Sequence, residues 1–338
     1  MLNNIKRKSI LIKIIMHISN RKLLNLFKYN NKFLDKLNLK QELNNYRMLS
    51  QLNTKLKTKI SYTHIEVLDL RKRLLGNESL NALSKIEFNY LKNLNISENN
   101  IADINELINC KFKNIEILDL GRNKISDIEA LTKAKYNKLK HLNLKYNEIS
   151  DINCLNEITF FNLEHLILKY NQITNITILE KVNFPKLKYL SLGYNNISDI
   201  KVLKNAKFIY LTDLDLEGNQ IKDIDVLGNV NFPELKFLGL GNNKINNINV
   251  FEKVNFGKLK ELYLERNEIC DINVFERTNF QELNFLSLNE NKINDIRVFE
   301  KIKLDNLETL DLRDNDIDKE ENSLIIENLR NNINEFFD

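Results

Sequence analysis

The dominant feature of the chain is a hydrophobic pattern that returns every 24 residues. From Leu91 onward, leucine or isoleucine fills positions one, four and six of each unit, asparagine position nine and isoleucine position eleven. A short alternating apolar segment predicts one β-strand per unit, and a fixed period of this length predicts stacked repeats. Ten units follow without a break, and their position-nine asparagines are Asn99, Asn123, Asn147, Asn171, Asn195, Asn219, Asn243, Asn267, Asn291 and Asn315.

The second half of each unit is also apolar at fixed places. A phenylalanine column includes Phe160, Phe184 and Phe208, which predicts a short helix or 3₁₀ turn on the side opposite the strand. A side-chain amide carries both donors and an acceptor, so the ten asparagines are expected to form a buried polar ladder that satisfies backbone groups. Aspartate recurs at position thirteen, for example at Asp127, and is expected to accept from nearby backbone N–H groups.

The complete unit, LxxLxLxxNxIxDIxxLxxxxFxx over residues 187–210, resembles the leucine-rich repeat of the SDS22-like and internalin-like subclass, lengthened by about two residues. The resemblance covers about residues 65–330. It implies an α/β solenoid, a right-handed horseshoe or arc with a parallel β-sheet on its concave side. It further implies a non-enzymatic scaffold that binds a protein partner on that sheet. SDS22-like proteins suggest a phosphatase regulatory subunit as one version of this function.

The repeats divide the chain into four predicted parts. Residues 61–90 form a degenerate N-terminal capping repeat in which Arg73 replaces the asparagine, and residues 91–317 form the leucine-rich repeats. Residues 318–338 are predicted to be a helical C-terminal cap, because open solenoid ends need covering. Residues 1–60 have helical apolar spacing and are predicted to be a basic helical segment.

The N-terminal segment differs from the rest in charge. Residues 1–64 hold fourteen Lys or Arg against two acidic residues, a net charge of +12, whereas the whole chain carries only +4. Such a segment is a candidate attachment site for nucleic acid or an anionic membrane. Residues 10–37 also resemble an F-box, although the usual Leu-Pro opening is missing; that resemblance implies a substrate receptor bound to a ubiquitin-ligase adaptor. A helical extension docked on the solenoid is the remaining alternative.

Composition and motifs argue against catalysis. Only 8 Gly and 2 Pro occur, and the sequence has no phosphate-cradling Gly-rich loop, HExxH or GxSxG motif. We therefore predict no enzyme, no cofactor and no metal site. Three cysteines without a CxxC pair predict a reducing, intracellular and cytoplasmic location. The apolar segment 10–18 follows three basic residues but is interrupted by Lys13 and His17, so a secreted, internalin-like adhesin is a lesser alternative.

Positions two, three, five, seven and eight of each unit should face outward from the sheet. Three consecutive units carry tyrosine at position eight, and two carry histidine at position three, which predicts aromatic side chains stacked on adjacent strands. Acidic residues of the strands are expected to be scattered over a solvated face. Large rings are enriched at interface hot spots, so we predict a monomer that binds its partner through His141, Lys145, Tyr146, His165, Lys169, Tyr170, Tyr189, Tyr194, Phe237, Tyr263 and Phe285.

Overall fold

A computed structural model describes residues 53–54, 65–302 and 306–338. Twelve three-residue strands in these ranges form one parallel sheet in strict chain order, β1 to β12. The F-box-like segment and nearly all of the basic segment 1–64 lie outside the described residues. The strands are β1 Val67–Asp69, β2 Asn93–Asn95, β3 Ile117–Asp119, β4 His141–Asn143, β5 His165–Ile167, β6 Tyr189–Ser191, β7 Asp213–Asp215, β8 Phe237–Gly239, β9 Glu261–Tyr263, β10 Phe285–Ser287, β11 Thr309–Asp311 and β12 Glu335–Phe337.

Strand register follows the 24-residue period. His141 pairs with His165, which in turn pairs with Tyr189, so the same unit position lies side by side on successive strands. Side chains at position four point inward and are almost fully buried, as at Leu142 and Leu166, while positions three and five face the opposite way. Residues that are 24 positions apart in the sequence therefore lie side by side on the sheet. The predicted solenoid with one open parallel sheet is confirmed.

In each regular unit the turn that follows the strand contains a residue in the left-handed backbone region, three residues after the strand ends. In all ten regular units the position-eight residue has a positive φ, including Tyr146, Tyr170 and Tyr194 at 51–57°, and only one of the ten is glycine, Gly218. Non-glycine residues disfavour this conformation by roughly 1–2 kcal/mol. The turn therefore depends on compensating interactions from its neighbours.

The position-nine asparagines supply those interactions. Asn195 is 5% exposed; its amide nitrogen donates to the carbonyls of Leu168, Leu192 and Gly193, and its Oδ1 accepts from the N–H of Ile173 in the previous unit. Equivalent bonds recur from Asn99 to Asn315. Each asparagine thus joins its own turn to the preceding one, and the ten side chains form one continuous hydrogen-bonded column.

The segments that lead from the end of one strand to the start of the next contain short helices, which are a single turn long in most units. Asparagine or aspartate at position thirteen accepts from the backbone N–H two residues later, as Asp151 does from Asn153. Seven of these segments are 3₁₀ helices and two are single-turn α-helices: Asn105–Asn109, Ala130–Lys133 (α2), Asn153–Glu157, Thr177–Glu180, Lys201–Asn205, Asp225–Asn229, Asn249–Glu252, Asn273–Arg277 and Val298–Lys301 (α3). Behind them the aromatic column packs ring to ring, with Phe112, Tyr136 and Phe160 about 6 Å apart.

The two ends of the described solenoid are built differently. Helix α1 (Glu78–Ser84) follows β1 and buries Leu80 and Leu83. At the other end helix α4 (Ser323–Asn332) buries Ile325 and Leu329, whereas Leu324 is 77% exposed. The sequence pattern did not predict β12, which follows α4 and pairs with β11. The C-terminal end is thus a helix and a strand.

Candidate functional site

Three tyrosines form a stacked column along the edge of the sheet. The rings of Tyr146 and Tyr170 are 4.1 Å apart and 7° from parallel, and those of Tyr170 and Tyr194 are 4.4 Å apart at 16°. Arg122 caps the first ring, its guanidinium carbon 4.0 Å from the ring centroid. Because the ring faces cover one another, a partner would meet ring edges and hydroxyl groups. All three side chains are partly exposed.

A second column runs along position three. His141 and His165 lie 4.9 Å apart, and His165 and Tyr189 are 5.8 Å apart. Burial, together with the neighbouring His165, lowers the pKa of His141, which favours the neutral imidazole at pH 7. Within the described residues no three His, Cys, Asp or Glu side chains come together in a way that could hold a metal ion. We name these six residues, His141, His165, Tyr189, Tyr146, Tyr170 and Tyr194, the aromatic patch.

Farther along the sheet, a separate aromatic cluster covers three strands. Tyr263 lies 5.1 Å from Phe237 and 4.6 Å from Phe285, and all three rings are partly exposed. The Tyr263 hydroxyl donates to Glu261 at 3.1 Å. Burial and the adjacent Glu261 charge raise the pKa of Tyr263 to about 12, so this phenol stays protonated. The sequence placed these rings on the face, and the structure joins them into one group.

The lysines of position seven play different parts. Lys169 is predicted from the sequence to bind the partner, but its Nζ lies 2.9 Å from Glu217 and 3.2 Å from Asp215, two strands away. These carboxylates raise the pKa of Lys169 although burial opposes the shift. Lys169 is therefore neutralised inside the chain. Lys145 forms no ion pair within the described part of the chain and keeps its charge available.

The sequence pattern predicts that the acidic residues of the strands are scattered over a solvated face. In the structure this prediction is wrong for Asp215 and Glu217. Asp215 is 4% exposed; it accepts from the Ser191 hydroxyl at 2.8 Å and from the backbone N–H of Glu217. The Tyr194 hydroxyl donates to Glu217 at 2.6 Å, and this bond raises the pKa of Tyr194 to about 12. Asp215, which is buried, and Glu217, which is partly exposed, thus connect the aromatic patch to repeat six. Glycine at an outward position, as at Gly193 next to Asp215, is the feature of the sequence that indicates such a close approach of a carboxylate to the sheet.

Glu265 stands apart from the other acids. Its Oε2 atom is buried from solvent and has no hydrogen-bond partner in the described structure. Burial raises the pKa of this carboxyl, and the negative charge of Glu217 adds to the effect. Its position over Gly241 is close: a Cβ on that glycine would lie 2.3 Å from Glu265 Oε1. The sequence analysis does not include Glu265 among the binding residues.

The fold defines the class of protein, an open solenoid whose repeats share one hydrophobic core and expose one parallel sheet. The family description "Leucine Rich repeats (2 copies)" matches residues 91–133, 161–205 and 211–253, and "Leucine Rich repeat" matches residues 137–152 and 304–320. The chain is a leucine-rich repeat protein. No curated protein matches it.

Solved structures agree on the fold. An internalin, InlF from Listeria monocytogenes, is 24% identical with a TM-score of 0.59, covering 80% of this chain and 90% of the internalin. TLR13 in complex with ssRNA13 is 26% identical with a TM-score of 0.57, covering 70% of this chain and 33% of TLR13.

A third similar structure is the leucine-rich repeat ectodomain of the Arabidopsis thaliana receptor kinase GASSHO1/SCHENGEN3, in complex with CASPARIAN STRIP INTEGRITY FACTOR 2. It is 23% identical with a TM-score of 0.52, covering 69% of this chain and 28% of the receptor.

Proposed function

We propose that this leucine-rich repeat protein is a non-enzymatic scaffold that binds a protein partner on the face of its sheet. The aromatic patch carries the proposal. Six aromatic side chains on β4 to β6 and the turns that follow these strands are held by stacking at fixed spacing before any partner arrives. Pre-ordered side chains lose little conformational entropy on binding, and rings of this kind dominate interface energetics.

The charges around the patch refine the proposal. Lys145 lies next to Tyr146 in the chain and Arg122 caps the Tyr146 ring, and among the described residues neither forms an ion pair, whereas Lys169 pairs with acids of repeat six. Because the tyrosine faces are stacked, the partner engages edges and hydroxyls, which favours a polar or mixed surface over a purely apolar one. The leucine-rich repeat ectodomain of the plant receptor kinase was solved in complex with CASPARIAN STRIP INTEGRITY FACTOR 2, which supports ligand binding by a related fold.

We infer a reducing compartment from three free cysteines, of which Cys270 is exposed and Cys110 buried. No helix in the described ranges has the length and apolarity to cross a membrane. An SDS22-like phosphatase-binding function would use the same sheet. Ligase recruitment or nucleic-acid and membrane attachment would depend on residues 1–64, and deleting them should leave binding to the sheet unchanged.

The test is capture of the partner by the full chain, followed by cross-linking and mass spectrometry. Replacing Tyr146, Tyr170 and Tyr194 together by alanine should abolish capture while circular dichroism stays unchanged. A matched control replaces three exposed aromatic residues outside the sheet, Phe161, Tyr210 and Tyr90, and should retain capture. Equal capture by both triple variants would refute the patch.

A further inference from the structure

Most cations at the end of the strands are paired with acids of the same chain. Positions seven and eight of the ten regular units hold five cations. Three of them have a carboxylate partner: Lys169 pairs with Glu217, Arg266 with Glu290 and Arg313 with Asp311. The other two, Arg122 and Lys145, form no ion pair with any described residue. They are the cations of this surface whose charge is left for another molecule.

These two cations are neighbours. The backbone N–H of Arg122 donates to the carbonyl of Lys145 at 2.8 Å, so their turns lie side by side. A Cβ on Gly121 would lie 3.3 Å from Lys145 Cγ, which shows that the Lys145 side chain leans toward repeat two. Arg122 is exposed and Lys145 is partly exposed. Both side chains are therefore accessible from the same place on the surface.

The acids nearest to this place are engaged elsewhere. Glu98 lies one repeat before Arg122 at the same unit position, and it pairs with Lys72 at 3.4 Å. Asp119 Oδ1 accepts from the backbone N–H of Gly121 at 2.9 Å and from the side-chain amide of Asn143 at 3.1 Å. The chain thus uses these carboxylates for its own turns and does not neutralise the two cations with them.

The other end of the tyrosine column shows how such a cation is neutralised. There Lys169 Nζ lies 5.0 Å from the centroid of the Tyr194 ring, and Glu217 accepts from both Lys169 at 2.9 Å and the Tyr194 hydroxyl at 2.6 Å. At the near end Arg122 lies over the Tyr146 ring at 4.0 Å, and no carboxylate from the described ranges pairs with it. A guanidinium stacked on a ring keeps its N–H edge open, and that planar edge matches a carboxylate.

The charges along the sheet favour an acid at the near end only. At positions three, five, seven and eight, repeats two to five carry three cations and one acid, whereas repeats six to eight carry five acids and one cation. A negative side chain is attracted to the first region and repelled by the second, which fixes where it can bind. A nucleic acid lying along the sheet would also place phosphates over the acidic repeats, so a single acidic segment of a protein fits the surface better.

We propose that Arg122 and Lys145 bind an aspartate or glutamate side chain of the protein partner, at the edge of the aromatic patch. The partner's carboxylate pairs with Arg122 and Lys145 beside the Tyr146 ring, as Glu217 pairs with Lys169 beside the Tyr194 ring. This inference rests on the proposed function, because it names the chemistry of a partner that binds the same patch.

The probe is a random dodecapeptide library displayed on phage and selected on the full chain. Selected peptides should be rich in aspartate or glutamate, and their synthesised forms should bind more weakly as salt is raised. In fluorescence anisotropy, the double variant Arg122→Gln with Lys145→Gln should weaken binding by about tenfold or more. Arg266→Gln is the matched control, since it removes a cation at the same unit position that is already paired with Glu290, and it should leave binding unchanged.

A charge reversal adds a gain of binding to this loss. The double variant Arg122→Glu with Lys145→Glu should reject the selected peptides and bind versions in which their acidic residues are replaced by lysine. Unchanged circular dichroism in both double variants excludes misfolding as the cause of lost binding.

The outcomes separate this inference from the function on which it rests. Peptides that lose binding in the triple tyrosine variant, but lack acidic residues and tolerate the Arg122 and Lys145 substitutions, would overturn the acidic partner alone. Peptides that are insensitive to every sheet variant would overturn the proposed function. Tight binding of a single-stranded RNA that displaces the peptides and is lost in the glutamine double variant would assign the two cations to phosphate and also overturn the inference.

Discussion

Replacing Asn195 by alanine tests whether the asparagine column holds the repeats together. The substitution removes the acceptor of the Ile173 N–H, which has no other acceptor among the described residues. A buried donor left unpaired costs about 1–3 kcal/mol. The carbonyls lose less, because Leu168 keeps its bond from Asn171, Leu192 keeps its bond from Asn219, and Gly193 still accepts from the backbone. Adding about 1 kcal/mol for these weakened bonds, we expect a loss of roughly 2–4 kcal/mol.

Native-state hydrogen exchange measures this loss at the amide concerned. The Ile173 N–H should lose most of its protection in Asn195→Ala, and urea unfolding of the same variant should show the lower free energy of unfolding. Asn196→Ala changes the next residue, which is exposed, and serves as the control with an expected change below about 0.5 kcal/mol. Equal stability of the two variants, with Ile173 still protected, would show that the column is incidental to the fold.

Three further predictions follow from the core, the acids and the thiols. Phe208→Ala should cost about 3–5 kcal/mol in urea unfolding because it opens a cavity behind the helices, whereas exposed Tyr210→Ala should change little. The pKa of Glu265 is raised in the fold, so between its ordinary value of 4.5 and its folded value the native state binds more protons and stability falls as pH rises. Glu265→Gln should therefore gain stability relative to the wild type at pH 7 but not at pH 4, and equal differences at both would contradict the shift. Burial raises the pKa of Cys110 to about 12, so a thiol reagent should label Cys270 promptly in the native chain and Cys110 only after unfolding.

The strands and their register could be predicted because every unit imposes the same environment on the same position. Leu142 and Leu166 occupy the same position in successive units and are both buried. Because all ten units agree, the assignment of this position to the core is secure. The side-by-side placement of His141 and His165 follows from the period alone. A twelfth strand was missed because Glu335–Phe337 lacks the asparagine and leucine spacing of the repeat, and it forms through pairing with β11. Its strand character comes from tertiary context, which a local pattern does not contain.

The direction in which surface side chains lean could not be predicted from the same pattern. Position seven was assigned to solvent as a class, yet Lys169 lies flat across Gly193 and is neutralised, while Lys145 is not. The difference comes from the residues one and two strands away, since a long side chain bends toward whatever space and charge its neighbours leave. Glycine at an outward position is the signal that the sequence does carry, because it marks the places where a side chain from the next repeat can cross.

Because equivalent positions lie side by side on the sheet, residues that are 48 positions apart in the sequence, two repeats along, can also interact across the repeat between them. Lys169 and Glu217 form such a pair across Gly193, and Glu217 and Glu265 form the next one across Gly241. The first pair is attractive and is closed within the chain, while the second is repulsive because both of its members are carboxylates. The second pair cannot be relieved in the way the first is, because the position that corresponds to Lys169 is occupied by Glu217, which already pairs with Lys169. Glu265→Gln removes one of the two like charges and leaves the pair of Lys169 and Glu217 in place, so its gain in stability at pH 7 measures what the second pair costs the fold.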